Sequence, residues 1–288
     1  MPQTSEFEAT RPSTLESSAS APRRSLPPRR HKLQRFASPS FSSPIPSPSG
    51  LLHFLGSASF GASYKWLVDN PTFVNQSYGW HFQYLTIIGL TVSTVSFICG
   101  SLADVTESQT LFKIKNSLSV VAAPMEVLIS LLYWGLRLVD KGLVVPEGLD
   151  MPVLAGALSH YRLTLMLIEE HIDLGFHAVP SVLMTMDYVL FSPPWRITLR
   201  GSLVLTTSIA LAYWYWIEVC YKHNGWYPYP LFGQLNTIQR IFLFLASAIL
   251  MTLSSLGLKM LFHWVNGYEQ PKPYKLMKLD AKGLAPTT

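Results

Sequence analysis

The chain has 288 residues, of which 49% are hydrophobic and only 14% charged, and its mean hydropathy is +0.24 although the first fifty residues are strongly polar. A soluble domain of this size carries charge on roughly a quarter of its residues, so the apolar excess must face lipid, which excludes the secreted, disordered and nucleic-acid-binding classes. The formal charge of +5 comes from a tail and short loops rather than from an aromatic-interleaved basic face, and membrane orientation accounts for it better than nucleic acid does.

Residues 1–49 are rich in Ser and Pro and carry the run PRRSLPPRRHKLQR followed by Ser-Pro steps at Ser38, Ser43 and Ser47. This composition predicts a disordered tail, and the basic cluster before the first apolar stretch predicts that it is cytosolic. No apolar signal region opens the tail, and Glu6, Glu8 and Glu16 argue against a transit peptide. Apolar stretches then follow near 51–68, 84–103, 118–139, 172–191, 199–220 and 238–265. Each is close to the ~20 residues that a helix needs to cross ~30 Å of hydrocarbon.

The expected fold class is therefore all-α: a polytopic bundle of about six transmembrane helices over residues 50–266, with a cytosolic tail at 267–288. The first span is the least apolar, since it holds His53 and Lys65, both near its ends where a long side chain can snorkel. Met151–Glu169 is apolar but has His160 and Arg162 at its centre, which predicts an amphipathic helix lying in the interface. With an even number of spans, Lys113, Lys115, Arg196 and Arg200 fall on the side of the termini, and Asp69, Glu147, Asp150, Glu169 and Glu170 fall on the other. The expected location is the endoplasmic reticulum or plasma membrane, with both termini cytosolic. Cys99 and Cys220 lie in apolar runs and predict no disulfide framework.

Ionisable groups inside spans are costly and mark candidate sites; here they are Glu126, His177, Asp187 and Glu218. Counted from the face opposite the termini, Thr86 in the second span and His177 in the fourth reach similar depth. A threonine hydroxyl needs a nearby base to act as a nucleophile, and histidine is the residue suited to that work. Asp173, one turn before His177, is a candidate to orient the imidazole. The plainer alternative is a threonine bonded to its own helix and a histidine that merely bridges two helices.

Asp187 lies too far along its helix to orient His177 and is expected to pair with Arg196 or Arg200. His160, Glu169, Glu170, His171, Asp173 and His177 crowd one segment, but His171 and His177 are six apart and fall on different helix faces. No metal site and no cofactor are expected. Asn224–Phe232, NGWYPYPLF, reads as an aromatic belt with a rigid turn or, more sharply, as a lid over a lateral opening for lipid. Tyr229 in that segment and the nearby Glu218 are candidate pocket residues.

Several short motifs, in order, resemble the androgen-induced gene 1 / androgen-dependent TFPI-regulating protein family of multispan membrane proteins. They are YGWHFQYLTIIGL around Thr86, Ile98-Cys99 with Asp104, DLGFHAVP around His177, Asp187, GWYPYP, and QRIFLF with Arg240. The resemblance covers roughly residues 64–265. It implies a six-span fold and an esterase that hydrolyses fatty acid esters of hydroxy fatty acids with a threonine nucleophile, Thr86, and a histidine partner, His177. The expected partners are then the lipid ester and membrane lipids, not nucleic acid; protein partners are not indicated. No oxyanion-stabilising group is singled out among Asn75, Gln76, His81, Gln83 and Tyr84. The rival classes are a transporter or channel with Glu126, His177, Asp187 and Glu218 along one polar path, and a noncatalytic membrane regulator.

Overall fold

The computed structural model describes residues 48–144 and 170–266. The expected tails at 1–47 and 267–288 and the expected interfacial helix at Met151–Glu169 lie outside these residues. Six long helices follow one another: α1 (Pro48–Asp69), α2 (Leu85–Thr106), α3 (Gln109–Val139), α4 (Glu170–Phe191), α5 (Leu199–Asn224) and α6 (Thr237–Asn266). Among the described residues every regular element is helical. Five helices, α2 to α6, are long and apolar enough to cross a membrane.

The least apolar helix, α1, nevertheless runs the full height of α2. Its start meets the end of α2 where His53 Nδ1 lies 2.6 Å from Asp104 Oδ2, and its far half meets the start of α2 where Tyr64 and Thr91 share a 2.6 Å hydrogen bond. The buried face of α1 is Ser49, His53, Gly56, Phe60, Ser63 and Leu67. That alternating four- and three-residue spacing forms one helix seam. Its small members make room for side chains of α2: a Cβ on Gly56 would collide with the Phe97 ring. Leu51, Phe54, Leu55 and Val68 point outward. With its polar groups inward and its apolar ones outward, α1 lowers its own average hydropathy while still presenting lipid with hydrocarbon.

The other helices are inside out in the same way. Val204, Phe242, Met260 and Trp264 are among the most exposed side chains, whereas Ser93, Ser119, Glu126, Thr206 and Thr252 are buried. The buried polar groups bond across helices: Ser93 Oγ donates to Glu126 Oε1 at 2.8 Å, and the hydroxyls of Thr206 and Thr252 meet at 2.8 Å. Such bonds average about 0.6 kcal/mol in a bilayer, so they select partners more than they hold the bundle together. The helix in the middle is α3, touching α2, α4 and α6; α1 packs on α2 and α4, and α5 on α6.

One buried ionic network lies at the end of the bundle where α2 joins α3. Asp187 is fully buried in α4 and pairs with Lys115 Nζ at 2.6 Å and with His53 Nε2 at 2.9 Å, and Lys115 Nζ also donates to Ser192 Oγ at 2.8 Å. This corrects the expected pairing of Asp187 with Arg196 or Arg200: the antiparallel run of α3 beside α4 brings Lys115 to the same level.

At the opposite end, Arg137 near the end of α3 pairs with Asp173 and, at 3.5 Å, with Glu170, both at the start of α4. The end of α3 and the start of α4 therefore lie on one face of the bundle. Single cysteines replacing Asn70 and Lys141, in a chain freed of Cys99 and Cys220, are expected to react with an impermeant maleimide from the same side of a sealed vesicle, and one replacing Glu107 from the other. Labelling of Asn70 and Lys141 positions from different sides would contradict this arrangement.

Candidate active site

Thr86 owes its place to a loop clamped onto α5. Between α1 and α2 the chain makes two 3-10 turns, Phe73–Gln76 and Trp80–Gln83. Thr72 and Asn75 cap the first turn reciprocally, through the 2.7 Å bond from Thr72 N–H to Asn75 Oδ1 and a 3.3 Å bond from Val74 N–H to Thr72 Oγ1. Gly79 links the turns with φ +83°, and a Cβ there would come within 2.9 Å of Cys220 Sγ. Glycine is thus required both by conformation and by contact with α5.

From α5, Asn224 takes Tyr78 N–H at 2.8 Å and gives its own amide to Tyr78 O at 3.0 Å, while Trp216 Nε1 donates to Phe82 O at 2.9 Å and the Tyr213 hydroxyl to Gln83 O at 3.0 Å. These bonds fix where α2 begins. Thr86 is its second residue and 6% exposed, and no side chain caps the helix. The N–H groups of Ile87 and Ile88 bond to Tyr84 O, which leaves those of Leu85 and Thr86 for other partners.

The Tyr229 phenol supplies one. Its oxygen lies 3.5 Å from Thr86 Oγ1 and against the Leu85 and Thr86 backbone amides. Burial pushes the phenol above its ordinary pKa, so it stays protonated at neutral pH and remains a donor. Tyr229 stands between Pro228 and Pro230 in an extended conformation, φ −114° and ψ 124°, as expected for a residue that precedes proline.

The loop around Tyr229 is tied down by Arg240. Its Nε donates to Phe232 O at 3.0 Å and Leu235 O at 3.1 Å, and its guanidinium covers the Tyr227 ring at 4.5 Å. Glu218, expected near the pocket, is part of this fastening instead: its carboxylate accepts from Arg240 at 3.3 Å, Tyr227 at 3.1 Å and Trp214 at 3.2 Å, and it lines neither cavity described below.

His177 lies two turns into α4, immediately before the helix is interrupted at Ala178 and Pro180. Proline at that position removes the N–H that would bond one turn back. The imidazole is stacked on Tyr133 of α3, with ring centroids 3.5 Å apart and planes 1° from parallel. Its Nδ1 lies 3.2 Å from the Asp173 backbone carbonyl. A proton on Nδ1 donates to that carbonyl and leaves Nε2 as the acceptor. The carboxylate of Asp173, expected to orient the ring, is held by Arg137 instead; residue 173 thus orients His177 through its main chain.

Thr86 and His177 line one cavity of about 180 Å³, together with Asn70, Thr72, His81, Asp173 and Tyr229. A second cavity of about 110 Å³ extends from Thr86 and Tyr229 into the bundle between α3, α5 and α6, and its wall is almost wholly apolar. Thr86, Tyr133, Val144 and Tyr229 belong to both walls. Of the other candidates, Glu126 is packed against Ser93 and Asp187 lies in the ionic network at the far end.

With this geometry in place, the sequence profile described as FAR-17a/AIG1-like protein matches residues 49–263. The chain belongs to the FAR-17a/AIG1-like family. A UPF0641 membrane protein of Schizosaccharomyces pombe is 31% identical over 213 residues, 74% of this chain and 89% of the relative. The androgen-dependent TFPI-regulating protein of Mesocricetus auratus is 26% identical over 192 residues, 63% of this chain and 75% of the relative. No solved structure matches the chain. This FAR-17a/AIG1-like chain is thus a multi-pass membrane protein, and both cavities lie within the matched region.

Proposed function

We propose that the protein is an intramembrane esterase that hydrolyses fatty acid esters of hydroxy fatty acids, with Thr86 as nucleophile and His177 as general base. The observation that carries this reading is the single cavity whose wall holds both side chains, with the Tyr229 phenol against Thr86. His177 Nε2 takes the Thr86 proton as Oγ1 attacks the ester carbonyl. The Tyr229 phenol, beside Thr86, donates to the negative charge that develops on the carbonyl oxygen. The protonated imidazole then gives its proton to the departing alkoxide, and a water activated by His177 releases the acid from Thr86. No metal or cofactor enters this scheme. The protein is taken to reside in the endoplasmic reticulum or plasma membrane with cytosolic termini.

The transport reading needs Glu126, His177, Asp187 and Glu218 on one path. Three of them are engaged elsewhere with Ser93, Lys115 and Arg240, which favours the esterase. Rapid quenching of the purified protein with a fatty acid ester in micelles, followed by peptide mass spectrometry, is expected to find the acyl group on the peptide containing Thr86. Hydrolysis without any acylated peptide, or with the acyl group on another residue, would rule out Thr86 as nucleophile.

A further inference from the structure

The proposed chemistry assigns the two cavities different jobs. The group that removes the Thr86 proton is the one that must protonate the departing alkoxide. The alcohol half of the ester therefore lies on the His177 side of the scissile bond. His177 lines only the more polar cavity, where Asn70, Thr72 and His81 also offer polar groups. A free carboxylate on the hydroxy acid finds hydrogen-bonding partners there, whereas the Thr206, Tyr213 and Ser247 hydroxyls that line the other chamber are already bonded to Thr252, Gln83 O and Leu243 O. The carbonyl carbon at Thr86 carries its alkyl chain on the opposite side, and the cavity that continues there from Thr86 and Tyr229 is the apolar one.

Resting on the esterase reading, we propose that the apolar cavity between α3, α5 and α6 is the acyl-chain subsite and that its depth limits the length of acyl chain the enzyme accepts. The cavity runs along α3 from Leu136 to Met125, ~16 Å of helix rise. Its deep end lies at Met125, Thr206 and Met251, below which the Thr206–Thr252 hydrogen bond closes α5 onto α6. Ala248 lines the chamber one turn above Met251 and is buried, so added volume there fills the path rather than the lipid boundary. In acyl transfer the Thr86 Oγ1–carbonyl bond forms as the carbonyl–alkoxide bond breaks, with the Thr86 proton passing through His177 to the alkoxide. The acyl chain stays in its chamber while the alcohol half leaves through the polar one.

The test uses the purified full chain in micelles with two series of esters, one varying the saturated acyl chain and the other varying the alcohol half. Ala248→Phe and the milder Ala248→Leu are expected to lower kcat/KM for the longest acyl chains by about tenfold or more relative to short ones. Met251→Ala, which deepens the chamber, is expected to move the optimum to longer acyl chains. The alcohol-series profile should stay that of the wild type in all three. Hydrolysis with an unmoved acyl profile in Ala248→Leu and Met251→Ala overturns the subsite assignment alone, as does a shift confined to the alcohol series. Absence of hydrolysis by folded wild type overturns the esterase reading itself, and the subsite with it.

Discussion

Replacing Thr86 by alanine is expected to lower ester hydrolysis by about 10⁴-fold or more while the protein still migrates as a folded species in detergent. The side chain is small, 6% exposed, and its hydroxyl makes one long contact, to Tyr229 at 3.5 Å, so its loss removes little packing. His177→Ala is expected to reduce activity to a similar level. The double variant should be no worse than either single one, because nucleophile and base act as a unit. Thr86→Ser keeps the hydroxyl and should retain measurable turnover. Tyr229→Phe removes one donor from the carbonyl oxygen, with an expected loss of about 10²-fold in kcat and little change in KM. Steady-state hydrolysis by the purified variants checks all of these. Full activity in Thr86→Ala would end the threonine mechanism.

The second large effect concerns stability. Asp187→Ala is expected to destabilise the bundle by about 3–5 kcal/mol, because it leaves Lys115 and His53 without their shared carboxylate at 0% and 1% exposure. The whole network is buried with them: His53 Nδ1 reaches Asp104 at 2.6 Å, and Ser49 Oγ donates to the same carboxylate at 2.9 Å. The double change Lys115→Met with Asp187→Leu removes both charges and should recover part of the loss. Thermal unfolding in detergent, followed by loss of the folded species, measures both. A shift of less than about 1 kcal/mol for Asp187→Ala would show the network to be dispensable, since that is the range of an exposed pair.

Much of this architecture is legible in the sequence because hydrocarbon thickness imposes helix length. The six apolar stretches correspond to α1–α6, five of them long and apolar enough to cross a membrane, and the two reversals of direction between α2 and α4 put Thr86 and His177 at one end. Neighbour choice was less accessible, since it depends on which helices pack together rather than on any local pattern. The bases nearest Asp187 in sequence are Arg196 and Arg200, whereas its partners come from α1 and α3, 134 and 72 positions away by number. The spacing of Asp173 and His177 does put them one turn apart, but Arg137 arrives from α3 and an ion pair claims the carboxylate. Glu218, a pocket candidate by its place in the sequence, is engaged by Arg240 and Tyr227. Tyr229, a candidate pocket residue in the sequence, is held rigid between two prolines, the kind of restraint that fixes a hydroxyl at a site; that its hydroxyl reaches Thr86 depends on how the loop folds back over α2.

Both chambers meet at Thr86 and Tyr229, toward the end of the bundle that carries the clamped loop, and the ionic network lies at the other end. On the esterase reading proposed above, the enzyme is sided: it draws its lipid from, and returns its products to, a single leaflet. An ester delivered to the opposite leaflet must first exchange across the bilayer, so in sealed vesicles its hydrolysis would follow the lipid's own flip rate rather than the enzyme's turnover.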